Sequence, residues 1–496
     1  MSAIVPRWEW RAFGRSFGPA EDAFAAMTTE RVQESDELYL LSPGGENVKV
    51  RDDLMDIKVL REVGDDGLER WEPVMKAGFP LSTETATEVF AALGHAPPGF
   101  ASDAYPLDRF LAELVEPEGL ARVVRVHKRR ARYTVGGCMA ELSDVEADGR
   151  RIRTVAVESE DRPGVLAAVR ELGLGGWANT SYPKALARLV NDEPERFAAI
   201  DVGTNSVKFH VGERAADGAW TKIVDRAEIT RLGEGLRERG EISEEAIGRT
   251  IEAIAGMADE ARGLEASAIV AIGTAGLRIA RNAAEALAAV RERVAFPVEV
   301  ISGDEESRLG YLAVSSAIRI GDGALAVFDT GGGSTEFTFG HGSNAEEHFS
   351  LDVGAVPYTE QHGLAGVVSR STLDDVLAQI ARDLGRLDDH PPPDGLVGMG
   401  GAITNITAVR HELATYDPDI VQGSVLGRDE VDRQIERYAS LDAEGRRSIV
   451  GLQPKRADVI LASACIVRTV MDKLGQDRLT VSDRGLRHGL LIDRFG

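Results

Sequence analysis

The sequence predicts an α/β protein of two related lobes, preceded by a separate, mostly antiparallel α+β domain. Three observations predict it. A strand–glycine turn–strand unit occurs twice: Asp201-Val-Gly-Thr-Asn-Ser206 follows the apolar run Phe197 to Ile200, and Asp329-Thr-Gly-Gly-Gly-Ser-Thr335 follows Ala324 to Phe328. From residue 197 onward, strand-like and helix-like segments alternate, the pattern of sheets covered by helices. Before Asn191, short alternating segments dominate instead. The polar, proline-containing stretch Asn191 to Arg196 is the expected boundary. The expected domains are 1–190, 197–318 and 319–496, in keeping with a soft prior of about three domains for a chain of this length.

In the N-terminal part, Arg7 to Phe13, Val48 to Arg51, Asp56 to Leu60, Val123 to Val135 and Arg151 to Glu158 read as strands. Thr83 to Leu93 and Arg162 to Leu172 read as helices. Residues two apart on a strand share a face. Lys49 and Arg51, then Lys128, Arg130 and Arg132, then Arg151 and Arg153 therefore form cationic faces, and Glu158 with Glu160 an acidic one. In the C-terminal part, Ala268 to Ile272, Val298 to Ile301, Ala324 to Phe328 and Gly395 to Met399 read as strands. Asn282 to Val294 (with Asn282 as N-cap), Asp304 to Ile318, Thr372 to Leu387 and Ala402 to Leu413 read as helices.

An apolar fraction of 43% is ample for cores, and no run approaches the roughly 18–20 apolar residues of a membrane span. Met1 to Arg11 lacks the layout of a secretory signal. Cys138 and Cys465 suggest no disulfide framework. A soluble, cytoplasmic setting is expected, with no membrane partner. The net charge of −24 argues against nucleic acid. Yet Arg122, Arg125, Lys128, Arg129, Arg130 and Arg132 cluster within a short stretch, which suits a small polyanion held in a lined site.

The glycine turns point to phosphate chemistry. Small residues let an anionic oxygen approach successive backbone N–H groups, and the Asp at each turn supplies a carboxylate for a divalent cation. Thr204, Asn205 and Ser206 in the first turn, and Gly331, Gly332, Gly333, Ser334 and Thr335 in the second, are the expected phosphate-holding positions. Gly400 and Gly401 open a helix in Gly398-Met-Gly-Gly-Ala-Ile-Thr404, and a helix N-terminus favours anions. Glu336 lies seven residues past Asp329, within reach of the same cation. Arg278 ends Thr274-Ala-Gly-Leu-Arg278 and can pair with phosphate oxygens. In Ile301-Ser-Gly-Asp-Glu-Glu-Ser-Arg308, one of the two adjacent glutamates can serve as a general base.

At these residues the chain resembles the exopolyphosphatase and guanosine pentaphosphate phosphohydrolase family, of the actin, sugar-kinase and chaperone-ATPase superfold. The resemblance runs from about Phe197 to Phe495, through six motifs in order: Ala199 to Ser206, Gly273 to Arg278, Ile301 to Leu309, Phe328 to Glu336, Gly398 to Thr404 and Val481 to Leu490. It implies an actin-like two-lobe hydrolase in which Glu306 is the base for water and Arg278 contacts phosphate. Asp329 and Glu336 would hold magnesium (manganese being the alternative ion), with Asp201 joining through water.

The first 190 residues resemble a CYTH-type triphosphate tunnel, a closed antiparallel barrel. In it Arg11, Lys49, Arg51, Lys128, Arg130, Arg132, Arg151 and Arg153 would line a polyphosphate site. The family signature Glu-x-Glu-x-Lys appears here as Arg7-Trp-Glu-Trp-Arg11. Arg7 replaces a metal-binding glutamate, so the tunnel is expected to bind polyphosphate more readily than it hydrolyses it. The expected partner is inorganic polyphosphate or another linear phosphoanhydride, and a second copy of the chain as a homodimer. The alternatives are guanosine pentaphosphate hydrolysis, or a non-catalytic regulator that binds polyphosphate or alarmone.

Overall fold

A computed structural model describes residues 5–117, 119–318 and 323–496. The residues up to Glu299, joined by Arg494–Gly496, form one compact unit, and Val300–Asp493 form a second. The sequence reading drew the line between lobes after residue 318. The helix Gly303–Ser315 belongs instead to the second unit, because Tyr311 and Val314 are buried with Leu325, Val327 and Val397 of that unit's sheet.

The first unit opens with a closed, eight-stranded antiparallel barrel. Its strands are β1 (Arg7–Gly14), β2 (Arg31–Leu41), β3 (Asn47–Arg51), β4 (Leu54–Val63), β5 (Glu69–Gly78), β6 (Arg122–Val135), β7 (Cys138–Ala147) and β8 (Arg150–Ser159). They close in the order β1-β8-β7-β6-β2-β3-β4-β5. This is the architecture expected of a CYTH-like domain. Helices α1 (Pro19–Ala26), α2 (Thr83–Ala92) and α3 (Arg162–Glu171) cover its outside. Trp10, Ala12, Ala140, Val155 and Val157 face α1 and α3, so Phe24, Val165 and Val169 are buried there.

Strand alternation then sends the residues between these inward, and the interior divides in two along its length. At one end Glu9, Arg11, Glu37, Lys128 and Glu141 make it charged. At the other end the same faces of the same strands carry Phe13, Tyr39, Leu41, Val124, Val126 and Val145. These pack on Tyr182, Leu186 and Val190 of helix α4 (Tyr182–Val190). Packed apolar side chains thus stopper the barrel's interior at this end.

Two sheets follow. The first, in the same unit, holds β9 (Glu195–Val202), β10 (Ser206–Arg214), β11 (Trp220–Ile229), β12 (Ala268–Gly273) and β13 (Val298–Val300), ordered β11-β10-β9-β12-β13. Helix α5 (Glu244–Gly263) buries Ile254, Met257 and Ala261 against it. Asn282 does not cap the helix Ala283–Val294 by its side chain. Its amide instead brackets Ile242, accepting from the N–H and donating to the carbonyl, both at 2.9 Å.

The second unit's sheet holds β14 (Ala324–Thr330), β15 (Thr335–His341), β16 (Asn344–Leu351), β17 (Gly395–Met399), β18 (Val425–Gly427) and β19 (Arg478–Ser482), ordered β16-β15-β14-β17-β19-β18. Each sheet opens with an antiparallel meander whose first strand also pairs in parallel with a later one. The helix Ile460–Lys473 is buried along most of its length at the centre of the second core.

Candidate functional site

Both glycine turns are tight hairpins of the same construction. In the first, Gly203 N–H donates to the Ser206 carbonyl at 3.0 Å; in the second, Gly331 N–H donates to Ser334 at 2.8 Å. The copies are offset by 128 residues throughout. Each turn is tied back by its carbonyls. Thr204 O accepts from Gly233 N–H, and Asn205 O from Thr230 and Arg231. Gly331 O accepts from Ala355, and Gly332 O from Val356. In a planar trans peptide the N–H opposes the carbonyl. The N–H groups of Asn205 and Ser206, and of Gly332 and Gly333, therefore face away from these anchors. Ser334 and Thr335 close the second turn, with Thr335 Oγ1 donating to the Val353 carbonyl at 2.6 Å. Packing leaves no room for larger residues: a Cβ on Gly354 would come within 2.2 Å of Gly333, and one on Gly233 within 2.1 Å of Thr204.

What differs is the residue across the hairpin from each aspartate. Asp201 pairs in register with Lys208, whose Nζ lies 3.2 Å from Asp201 Oδ2. Asp329 pairs in register with Glu336. Asp201, expected as a third metal ligand, thus has a cation beside one buried oxygen, while its other oxygen is buried without a hydrogen-bond partner. Asp329 and Glu336 place two carboxylates on one face of a hairpin, where directly opposed side chains stand about 5 Å apart. Glu336 Oε1 accepts from the Ser334 and Ser350 hydroxyls. Carboxylate and hydroxyl oxygens are the donors that hard divalent cations prefer, so this set fits magnesium.

Two further elements join each turn. In the first unit, the short helix Ala275–Ile279 begins where Thr274 N–H meets the Val202 carbonyl. A Cβ on Gly276 would stand 3.1 Å from Thr204 Oγ1, and Arg278, two residues on, is exposed. In the second unit, Gly400 adopts φ 84°, and a Cβ there would lie 1.8 Å from Asp329 Oδ1. Gly401 starts the helix Gly401–Arg410, so its free N-terminal turn lies beside the Asp329 carboxylate.

The structure also brings in Arg456, which the sequence reading missed. A Cβ on Gly401 would touch its guanidinium at 1.9 Å, and its Nε is buried without a hydrogen-bond partner. Burial holds this guanidinium below its ordinary pKa, while Asp329 opposes that shift. Arg456 sits in a 3-10 turn, Pro454–Arg456, with no local motif to mark it. Lys208 was detectable: it stands at the position of Glu336 under the 128-residue offset.

Glu306 lies in the first turn of the helix Gly303–Ser315, which Ser302 caps by accepting from Glu305 N–H at 3.1 Å. Its neighbours are engaged elsewhere. Glu305 receives two hydrogen bonds from Arg308, at 2.7 and 2.8 Å, and Asp304 pairs with His348 at 3.0 Å.

In the barrel, Glu37 is wholly buried and is the hub of the charged half. Lys128 Nζ approaches it at 2.8 Å, Lys49 at 3.1 Å and Arg130 at 3.3 Å. Burial alone would raise its pKa; Lys128 and Lys49 outweigh that and hold it well below the usual carboxylate range. Arg11 binds Glu9 at 2.7 Å and Glu141 at 2.9 Å. Burial would raise Glu141 too, but Arg11 and Arg130 bring it down to about 2. Arg51 lies 3.5 Å from Asp56, and Arg132 buries its Nε. Arg7 faces Glu158 at 3.8 Å where the tunnel signature has an acid.

Arg151 and Arg153 do not line the interior. They share a face, as expected, but it is the outer one. Arg151 is 86% exposed and pairs with Glu146, and Arg153 pairs with Asp144 and Glu21. The inward positions of β8 are Ile152, Thr154 and Glu158; Thr154 accepts from Arg11 at 3.3 Å.

The Ppx/GppA phosphatase family model matches residues 213–496, more than half of the chain. The chain belongs to the Ppx/GppA phosphatase family. The expectations of that family, and of an enzyme within it, are met. The crystal structure of the Aquifex aeolicus Ppx/GppA family member is 31% identical, with a TM-score of 0.55 over 60% of this chain and 97% of that one. Exopolyphosphatase 2 of Mycobacterium tuberculosis is 28% identical over 324 residues, 61% of this chain and 99% of its own length. The bifunctional 3-dehydroquinate synthase/phosphatase of Fusobacterium nucleatum is 28% identical over 307 residues, and the match spans 46% of its length. Among the described residues, no helix is long and apolar enough to cross a membrane.

Proposed function

We propose that this Ppx/GppA phosphatase releases the terminal phosphate of inorganic polyphosphate by hydrolysis, with a magnesium ion (or manganese) held by Asp329 and Glu336. The observation that carries the reading is the Asp329–Glu336 pair, set across a hairpin whose glycine turn aims its N–H groups outward. Bound there, the cation would offset charge on the phosphate oxygens. The turn N–H groups of Gly332 and Gly333, the head of the helix at Gly401 and the guanidinium of Arg456 would orient the same phosphate. Asn205, Ser206, Lys208 and Arg278 form the corresponding anion-facing set of the first unit.

Glu306 is the general base. It stands in the first turn of the helix Gly303–Ser315, at the position of the base for water in the family motif Ile301 to Leu309. The barrel binds the polyphosphate chain without hydrolysing it. Its buried cations support binding, and Arg7 in place of an acid disfavours a metal.

The test is Glu306→Gln. Phosphate release from long-chain polyphosphate should fall by about 10²- to 10⁴-fold while the variant still binds the polymer. Turnover that persists would rule out Glu306 as the base, and binding without any wild-type turnover would favour a regulator. The GppA half of the family name motivates guanosine pentaphosphate as a second substrate; kcat/KM on both decides between them.

A further inference from the structure

The first unit holds another cavity, beyond the glycine turn and the charged half of the barrel. It measures about 510 Å³ and lies where α4, the connection 191–194 and the start of β9 meet. Part of its wall is apolar, with Phe13, Ile152, Leu189 and Phe197. Phe495 also lines it, stacked on Phe197 with ring centroids 4.2 Å apart. The rest is cationic: seven lining residues are Lys or Arg and four are Asp or Glu, in a chain whose net charge is −24.

Four of the seven cations are engaged with acids: Arg150 with Asp192, Arg151 with Glu146, Lys184 with Glu69 and Arg262 with Asp259. Arg15, Arg188 and Arg214 remain. Among the described residues, none of these three forms an ion pair with an acidic side chain, although all three act electrostatically on Glu195. Arg214 stands opposite Glu195 in the β9–β10 register, and its Nε is buried without a hydrogen-bond partner. Arg15 donates to the Gly496 carbonyl at 3.3 Å and lies close enough to Arg214 to repel it. Three guanidiniums thus line the same open space as the Glu195 carboxylate, with no ion pair to it.

We propose that this cavity binds a nucleotide, its phosphates held by Arg15, Arg188 and Arg214 and its base lying on the apolar wall around Phe197. Guanidinium groups pair bidentately with phosphate oxygens, and the volume is in the range that holds a small organic ligand. The apolar wall is what selects a nucleotide over bare phosphate. The site is independent of the polyphosphate reading, and it sits at the start of the strand that ends at Asp201–Val202.

Photolabelling of the full chain with 8-azido-ATP, followed by peptide mapping, tests it. The label should fall within residues 178–197 and be blocked by excess ATP but not by equal pyrophosphate. Arg188→Gln and Arg214→Gln should each cut labelling at least tenfold, with Tm and phosphate release unchanged; Arg188→Lys should keep most of it. Label confined to the glycine turns or to the charged half of the barrel around Arg11, Glu37 and Lys128 would overturn the proposal. So would labelling indifferent to both Gln variants, and pyrophosphate blocking as well as ATP would reduce the site to one for bare phosphate and overturn the nucleotide assignment.

Discussion

The two glycine turns share a backbone and differ in one charge. In each, a buried strand ends in an aspartate and a glycine N–H closes the hairpin on a serine carbonyl. Across the first aspartate stands Lys208; across the second stands Glu336. A lysine beside an aspartate nearly cancels its charge. Two facing carboxylates repel each other unless a cation joins them. One duplicated scaffold thereby sets a cation across from its aspartate in the first copy and a second carboxylate in the other. The backbone is shared, and a single side chain changes the charge across each aspartate.

The severest way to break the contrast is Glu336→Lys, which gives the second turn the first turn's charge. Phosphate release should fall by about 10³-fold, and titration with magnesium should not restore it. Phosphate release with an unchanged magnesium dependence would mean that Glu336 is not a ligand. Gly400→Ala keeps every charge but drives a methyl group into Asp329. A loss of about 100-fold in kcat is expected from misplacement of this order, with an unchanged circular dichroism spectrum.

The barrel supplies the extreme case of a carboxylate ringed by cations. Glu141 titrates at about 2 rather than the ordinary 4.5. Its folded pKa is depressed, so the unfolded chain binds more protons between these values. Stability should therefore drop as pH falls from about 4.5 toward 2, by an amount of order 2–3 kcal/mol at this residue. Glu141→Gln should flatten that part of the pH–stability curve. Lys208→Met, the mildest change, leaves the buried Asp201 without its ion-pair partner and should destabilise the protein by about 1–3 kcal/mol; chemical denaturation measures it. A neutral result would show that the Lys208 pair is not what distinguishes the first turn.

Much of the second turn was legible because repetition multiplies a weak signal. Asp329, Glu336 and the glycines stand in one contiguous motif. Gly400 and Arg456 meet that motif only through folding: β17 runs parallel to β14, and Arg456 arrives from a turn far along the chain. The barrel shows a different limit. Period-two alternation tells which residues share a face but not which face is inside: the inward expectation holds for Lys128 and Arg130 and fails for Arg151 and Arg153, which face out. Glu37, the hub, went unread because its strand begins with a long polar run, Gln33 to Glu37. The helix Tyr182–Val190 was likewise unread, its short apolar stripe following Ser181 and interrupted by Pro183.

That unread helix has a consequence for polymers. Because α4 stoppers the barrel, whatever goes in must come out by the same door. A strand with a free tip could enter, whereas a ring of the same composition has no tip to offer. Occupancy would then count termini rather than monomers, and lengthening a polymer would add nothing to the number of proteins it seats.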